Sequence, residues 1–179
     1  MKPKSVIVGL CGSSGSGKTL TCKMLLQELH SRSVACSGFI SPAVFHEKAK
    51  IGINVMWLES AEEQLLMTPI ADVSQFSIGK WQILPEAFEW VNRNLAEIKD
   101  GRVFFCDEIG PLEVLEGKGW VKALDVVDTR RFDLNVVTFR PSLREYFSQR
   151  YPEMTIYDLE KDGAKDLVIK EVTLLFGIE

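Results

Sequence analysis

Two apolar rhythms alternate along this chain from end to end. Val6-Ile7-Val8-Gly9-Leu10 is a continuous apolar run, the pattern of a strand covered on both faces. Cys22, Leu25, Leu26 and Leu29 then recur three and four apart, which predicts a helix. Val34–Ile40 and Ile51–Leu58 read as extended, with Ser41 to Lys50 between them as a turn or loop. The stretch from Glu62 to Leu84 mixes both rhythms and reads only coarsely. Pro85 suits a first helical position, Phe88, Val91, Leu95 and Ile98 share a face behind it, and Gly101 falls where a helix stop belongs. Val103-Phe104-Phe105-Cys106 is a second buried-strand run. Trp120 to Val127 then reads as a helix, Leu134–Phe139 as a strand and Ser142–Gln149 as a helix. Met154–Asp158 and Asp166–Phe176 supply a last strand and helix.

Strand and helix in repeated alternation predict an α/β fold, with a mostly parallel sheet, helices on both faces and right-handed crossovers. No internal repeat, low-complexity segment or linker interrupts it. Residues 1–179 therefore read as a single domain, a length that supports one full core.

Composition narrows the class of partner. The net charge of −4 argues against a broad nucleic-acid-binding face, which needs a basic excess. No apolar run approaches the ~20 residues of a membrane span, and the run near the start is too short for a secretory signal. Cys11, Cys22, Cys36 and Cys106 stand apart within apolar stretches, without a CxxC pair or a histidine cluster. They read as buried, reduced thiols of a cytoplasmic protein rather than as metal ligands.

Chemistry enters directly after the first strand. Gly12-Ser13-Ser14-Gly15-Ser16-Gly17-Lys18-Thr19 matches G-x-x-x-x-G-K-[ST] at every fixed position, between a buried strand and a helix. Glycines allow the backbone to turn so that successive N–H groups converge on phosphate oxygens. The helix beginning near Lys18 adds its positive end. Lys18 is expected to reach the β- and γ-phosphates, and the Thr19 hydroxyl to ligate Mg²⁺. These eight residues make a P-loop, the nucleotide-binding element of ATP- and GTP-using proteins.

Asp107 and Glu108 follow the apolar run Val103–Cys106. In P-loop proteins the metal-side carboxylate sits at the end of a buried strand near the loop, which assigns Asp107 to Mg²⁺. Glu108 stands where a second carboxylate would polarise an attacking water. Adjacent strand residues point to opposite faces, so both reach the phosphates only if the chain turns there. Gly110-Pro111 is the expected turn.

The stretch Cys106-Asp107-Glu108-Ile109-Gly110-Pro111-Leu112-Glu113 resembles the "DEIG" signature of a small nucleoside-triphosphatase family, first described from thermophiles and with a human cancer-related member. The N-terminal P-loop, Gly38-Phe39 and Gly79-Lys80-Trp81 extend the resemblance to about Phe139. It implies a RecA-like core that slowly hydrolyses ATP, GTP and other triphosphates with Mg²⁺ and little base preference. It also implies that Glu108 activates the water, and it includes Glu113 in the motif. Two stretches depart from the family pattern: Ile40-Ser41-Pro42-Ala43, where many relatives carry charges, and the chain from Tyr151 onward.

Five of the eight arginines, Arg130, Arg131, Arg140, Arg144 and Arg150, fall within 21 residues. Arg140 follows the strand Leu134–Phe139 and precedes Pro141, so it is the candidate for stabilising transition-state charge. The others suit a solvated face. Lys80 and Trp81 either line the nucleotide pocket or, the favoured reading, form a mobile surface loop with the indole turned into the core; His30 and His46 read as surface residues, and Trp57, Trp90 and Trp120 as core. Triphosphate hydrolysis is the leading reading. A small nucleoside or nucleotide kinase, with an acceptor hydroxyl in place of water, and a nucleotide-dependent switch or assembly factor remain the alternatives. A guanine-reading Asn-Lys-x-Asp segment is absent.

Overall fold

The computed structural model describes residues 5–70, 77–78, 80–99 and 101–177, without the side chains of 77 and 78. Strand β1 (Val6–Cys11) leads through the loop into helix α1 (Lys18–Ser31), followed by β2 (Cys36–Ile40), β3 (Ala43–His46), β4 (Ala49–Trp57) and β5 (Glu63–Pro69). Short strands β6 (Ser77–Ile78) and β7 (Trp81–Ile83) precede α2 (Pro85–Glu97) and β8 (Val103–Ile109). Then come α3 (Pro111–Leu115), α4 (Val121–Asp128), β9 (Leu134–Phe139), a 3₁₀ turn into α5 (Arg144–Arg150), β10 (Thr155–Asp158) and α6 (Ala164–Leu175).

One sheet joins the ten strands of the described residues in the order β10-β1-β9-β8-β2-β4-β5-β7-β6, with β3 paired to β4. Its first five strands are parallel. Their side chains alternate between two cores. Ile7, Phe104 and Val137 face α2, α4 and α5, whereas Val8, Phe105 and Val136 face α1 and α6. Coverage on both faces is why these strands read as unbroken apolar runs. The expected α/β architecture is the observed one.

From β4 onward the pairing is antiparallel, and here the structure corrects the sequence reading. Ser41 to Lys50 is not a loop: β3 and the start of β4 form a ribbon within it. Most of β3 is exposed, so neither face demanded an apolar period there. The coarse stretch Glu62–Leu84 carries β5 and β7, which bury few side chains and lack a clean alternation for the same reason. Part of that stretch, Gly79 included, lies outside the described residues. Helix α2 starts at Pro85 as expected but stops at Glu97, ahead of Gly101.

Gly38 fixes how closely β2 approaches β8. Its φ is 97°, and a Cβ there would stand 2.1 Å from the Phe105 carbonyl oxygen. Gly38→Ala is therefore expected to lower the free energy of unfolding by at least about 2 kcal/mol, combining left-handed strain with a backbone clash. Urea denaturation measures it; an unchanged midpoint would mean that β2 shifts freely against β8.

Candidate nucleotide site

The carboxyl ends of β1, β8, β9 and β10 meet along one edge of the parallel sheet, the edge where open α/β sheets bind ligands. β1 delivers the loop Gly12–Thr19 there. Gly17, the residue before α1, has φ 94°, and a Cβ on it would lie 2.6 Å from Lys165 Nζ of α6. The left-handed backbone is what requires glycine here, and Lys165 packs close over it. Lys18 is buried and folds back over the loop, its Nζ donating to the carbonyls of Gly12 and Ser13 at 2.8 Å each. Ser13 N–H donates to Glu160 Oε1 at 3.0 Å, and Ser16 Oγ is buried without a hydrogen-bond partner. Gly15 stands in open space with a left-handed backbone, and Ser14 borders the adjoining cavity.

Asp107 is fully buried. Its Oδ2 accepts from Thr19 Oγ1 at 2.8 Å and from Ser41 N–H at 2.9 Å, and its Oδ1 accepts from Thr138 Oγ1 at 2.6 Å. All three donors are neutral. A buried carboxylate tied only by neutral donors, beside a threonine hydroxyl and the unpartnered buried Ser41 Oγ, is a hard-oxygen set. It fits a Mg²⁺ ion, which favours one or two protein oxygens plus phosphate.

Glu108 reaches the same site by a device that the sequence reading placed elsewhere. The β8–β9 register runs Cys106↔Val137 and then Ile109↔Phe139, so β8 carries one extra residue. Glu108 sits in that bulge with φ 68°. Its N–H donates to Thr138 Oγ1 at 2.8 Å, the hydroxyl that also binds Asp107. The turn that brings both acids to one side is therefore in Glu108 itself, not at Gly110-Pro111. Burial and the neighbouring Asp107 charge push the Glu108 carboxyl above its ordinary range, against the pull of Lys18, Arg140 and Lys50.

Glu113 has a bracing part. Its Oε2 accepts from Gly110 N–H at 2.8 Å and its Oε1 from Trp120 N–H at 3.1 Å. One carboxylate thus closes the first turn of α3 and pins the start of α4. Burial raises its pKa despite these two bonds.

A cavity of about 300 Å³ opens beside the loop, with Ser14, Lys18, Glu108 and Arg140 on its border. Arg140 thus reaches the site, whereas Arg130 pairs with Glu153 at 2.5 Å and Arg150 with Asp128 at 2.5 Å. Trp81 is half-buried and lines this cavity rather than filling the core, with Lys50 Nζ 5.2 Å from its ring centre. Trp57 and Trp120 are core residues, Trp90 packs at the core's margin, and His30 and His46 are exposed. Thr138, Ser41, Lys50, Glu160 and Lys165 were missed in sequence. Thr138 alone left a signal, a polar residue inside an apolar strand.

Such a fold and site define a P-loop nucleotide-binding protein. The chain belongs to the NTPase family whose model it matches over residues 7–173, which takes in the segment beyond Tyr151. It is 30% identical to the nucleoside-triphosphatase THEP1 of Sulfurisphaera tokodaii over 107 residues, 60% of this chain and 62% of that protein. To the nucleoside-triphosphatase THEP1 of Saccharolobus solfataricus it is 28% identical over 108 residues, 60% of this chain and 61% of that one. The matched region thus spans only about 60% of the length of these curated relatives. A solved human cancer-related nucleoside triphosphatase shares the fold with a TM-score of 0.70 at 24% identity, over 96% of this chain and 97% of that one. THEP1 from Aquifex aeolicus gives 0.68 at 19% identity, over 95% and 99%.

Because Thr138 Oγ1 serves both Asp107 and Glu108 N–H, Thr138→Val is expected to destabilise the fold by about 1–3 kcal/mol, the cost of orphaning buried polar groups. Thr138→Ser should restore most of it. Urea unfolding of the two variants checks this, and equal stability would deny the hydroxyl its anchoring part.

Proposed function

We propose that this protein hydrolyses nucleoside triphosphates, ATP and GTP among them, to diphosphate and phosphate with Mg²⁺ and little base selectivity. The observation that carries this reading is the bulge at Glu108, which turns a second carboxylate beside Asp107 into the cavity bordered by Lys18. The names of the THEP1 relatives point the same way.

In this reading the N–H groups of Gly12–Thr19 cradle the phosphates, and Lys18 leaves its carbonyl partners for the β- and γ-phosphate oxygens. Thr19 Oγ1 and Asp107 would hold Mg²⁺, which would supply positive charge to offset that of the phosphates. Glu108 orients a water toward the γ-phosphorus and takes its proton, so catalysis is positioning plus electrostatics. Arg140, exposed at the cavity border, offsets charge that grows in the transition state. Glu113 keeps the Glu108 turn in place.

No helix of the described residues is long and apolar enough to cross a membrane. The four buried, unpaired cysteines support a reducing, cytoplasmic setting.

Phosphate release from a panel of triphosphates tests the reading. Lys18→Ala is expected to lose both binding and turnover. Glu108→Gln should bind Mg·ATP normally and lose at least ~10²-fold in kcat, the scale of a positioned general base. Turnover untouched in the second variant would remove Glu108 from its role. Arg140→Ala is expected to lower kcat by about 10²-fold with little change in nucleotide affinity, measured by steady-state kinetics and equilibrium titration. A change in affinity alone would make it a binding residue.

A further inference from the structure

Hydrolysis needs one water beside Glu108, and the structure provides far more room than that. The cavity of about 300 Å³ is many times the space that one water needs. Much of its wall is apolar. Trp81, Phe88 and Trp120 supply aromatic faces, and Ile53, Leu66 and Met67 supply aliphatic ones. Phe88 and Trp120 meet edge to face, with ring centres 4.3 Å apart. Glu108 and Lys18 border this chamber as well as the phosphate loop, so its contents lie against the reacting end of a bound triphosphate. Lys50, Arg140, Glu113 and Glu116 line it as well, so the chamber joins an apolar wall to a charged one.

Resting on the nucleotide site described above, we propose that this chamber is an acceptor site: when a small alcohol bearing a planar ring fills it, the γ-phosphoryl group passes to that alcohol instead of to water. The ring lies among the aromatic walls, which offer it apolar and ring–ring contact. The hydroxyl points back to Glu108, at the position otherwise taken by the attacking water. Its oxygen forms a bond to the γ-phosphorus as the bond from phosphorus to the β-phosphate oxygen breaks. The bonding pair leaves with the nucleoside diphosphate, and the hydroxyl proton passes to Glu108. The products are a nucleoside diphosphate and a phosphate monoester. With the chamber filled by water, the same carboxylate turns over water, so hydrolysis is the outcome in the absence of acceptor.

The test follows the label from γ-³²P-ATP with Mg²⁺, in the presence and absence of benzyl alcohol or thymidine, two neutral ring-bearing primary alcohols of different size. Labelled ester and inorganic phosphate are separated chromatographically. Labelled ester is expected with at least one alcohol. Trp81→Ala should lower the ratio of ester to phosphate by at least about tenfold, and Trp81→Phe, which keeps a ring, should restore most of it. The ratio is read within each preparation, so loss of folded protein does not imitate the effect. Phosphate as the sole labelled product with both alcohols overturns the acceptor site and leaves hydrolysis standing. An ester yield indifferent to Trp81→Ala also overturns it, since the alcohol then binds elsewhere. Ester formed with alcohol, but no phosphate without it, upholds the acceptor site and overturns hydrolysis; label that stays on ATP throughout overturns both.

Discussion

One buried carboxylate sets the geometry of this molecule's working edge. Asp107 has no exposed surface, yet it is held by bonds from three separate elements: Thr19 in α1, the Ser41 N–H after β2 and Thr138 in β9. Burying a charge is costly unless every lone pair is answered, and here each answering group is neutral. The carboxylate therefore ties the phosphate loop, two neighbouring strands and its own strand into one arrangement. Its oxygens also stand with the Thr19 and Ser41 hydroxyls in a hard-oxygen set that suits a cation. Stability and ligand chemistry are thus joined in a single residue, which is why the site cannot be loosened without cost to the fold.

Glu108 shows how that constraint is passed on. Its left-handed backbone costs on the order of 1–2 kcal/mol for a side chain of this kind. The Thr138 hydroxyl offsets part of this by accepting the Glu108 N–H while donating to Asp107. Downstream, Glu113 clamps Gly110 and Trp120, so the residues leaving the bulge have little freedom. The strain persists because bonds on both sides of Glu108 leave no relaxed alternative. What it achieves is orientation: two adjacent acids of one strand serve the same edge, which a regular strand forbids.

The parallel half of the sheet was legible in sequence because burial on both faces writes itself as unbroken apolar runs. Val6–Leu10, Val103–Cys106 and Leu134–Phe139 all became central strands. The loop Gly12–Thr19 was legible for a different reason, since phosphate chemistry demands fixed residue types at fixed spacing. The antiparallel wing was not. β3 and β5 leave much of their length exposed, so no period of two was imposed on them. At the site, Glu108 was identified by its position after a strand, but the bulge was not, because a bulge is a register difference between two strands. Glu160 and Lys165 escaped for a similar reason. They approach the loop only because α6 and β10 return beside β1, a long-range contact without local trace.

The legible and illegible halves divide along the path of the substrate. Phosphate groups are the same in every triphosphate, and the parallel core that meets them carries a pattern any such protein needs. Beyond Glu108 one side of the wall comes from elsewhere: Ile53 from β4, Leu66 and Met67 from β5, and Trp81 from β7. These strands belong to the antiparallel wing, whose sequence is not bound by phosphate geometry or by a two-sided core. Substitution there reshapes the chamber without disturbing Asp107 or the loop. In the proposed reading, the nature of the group that meets the γ-phosphate is thereby placed under separate control from the machinery that activates it, so that one rigid phosphate site serves different second reactants.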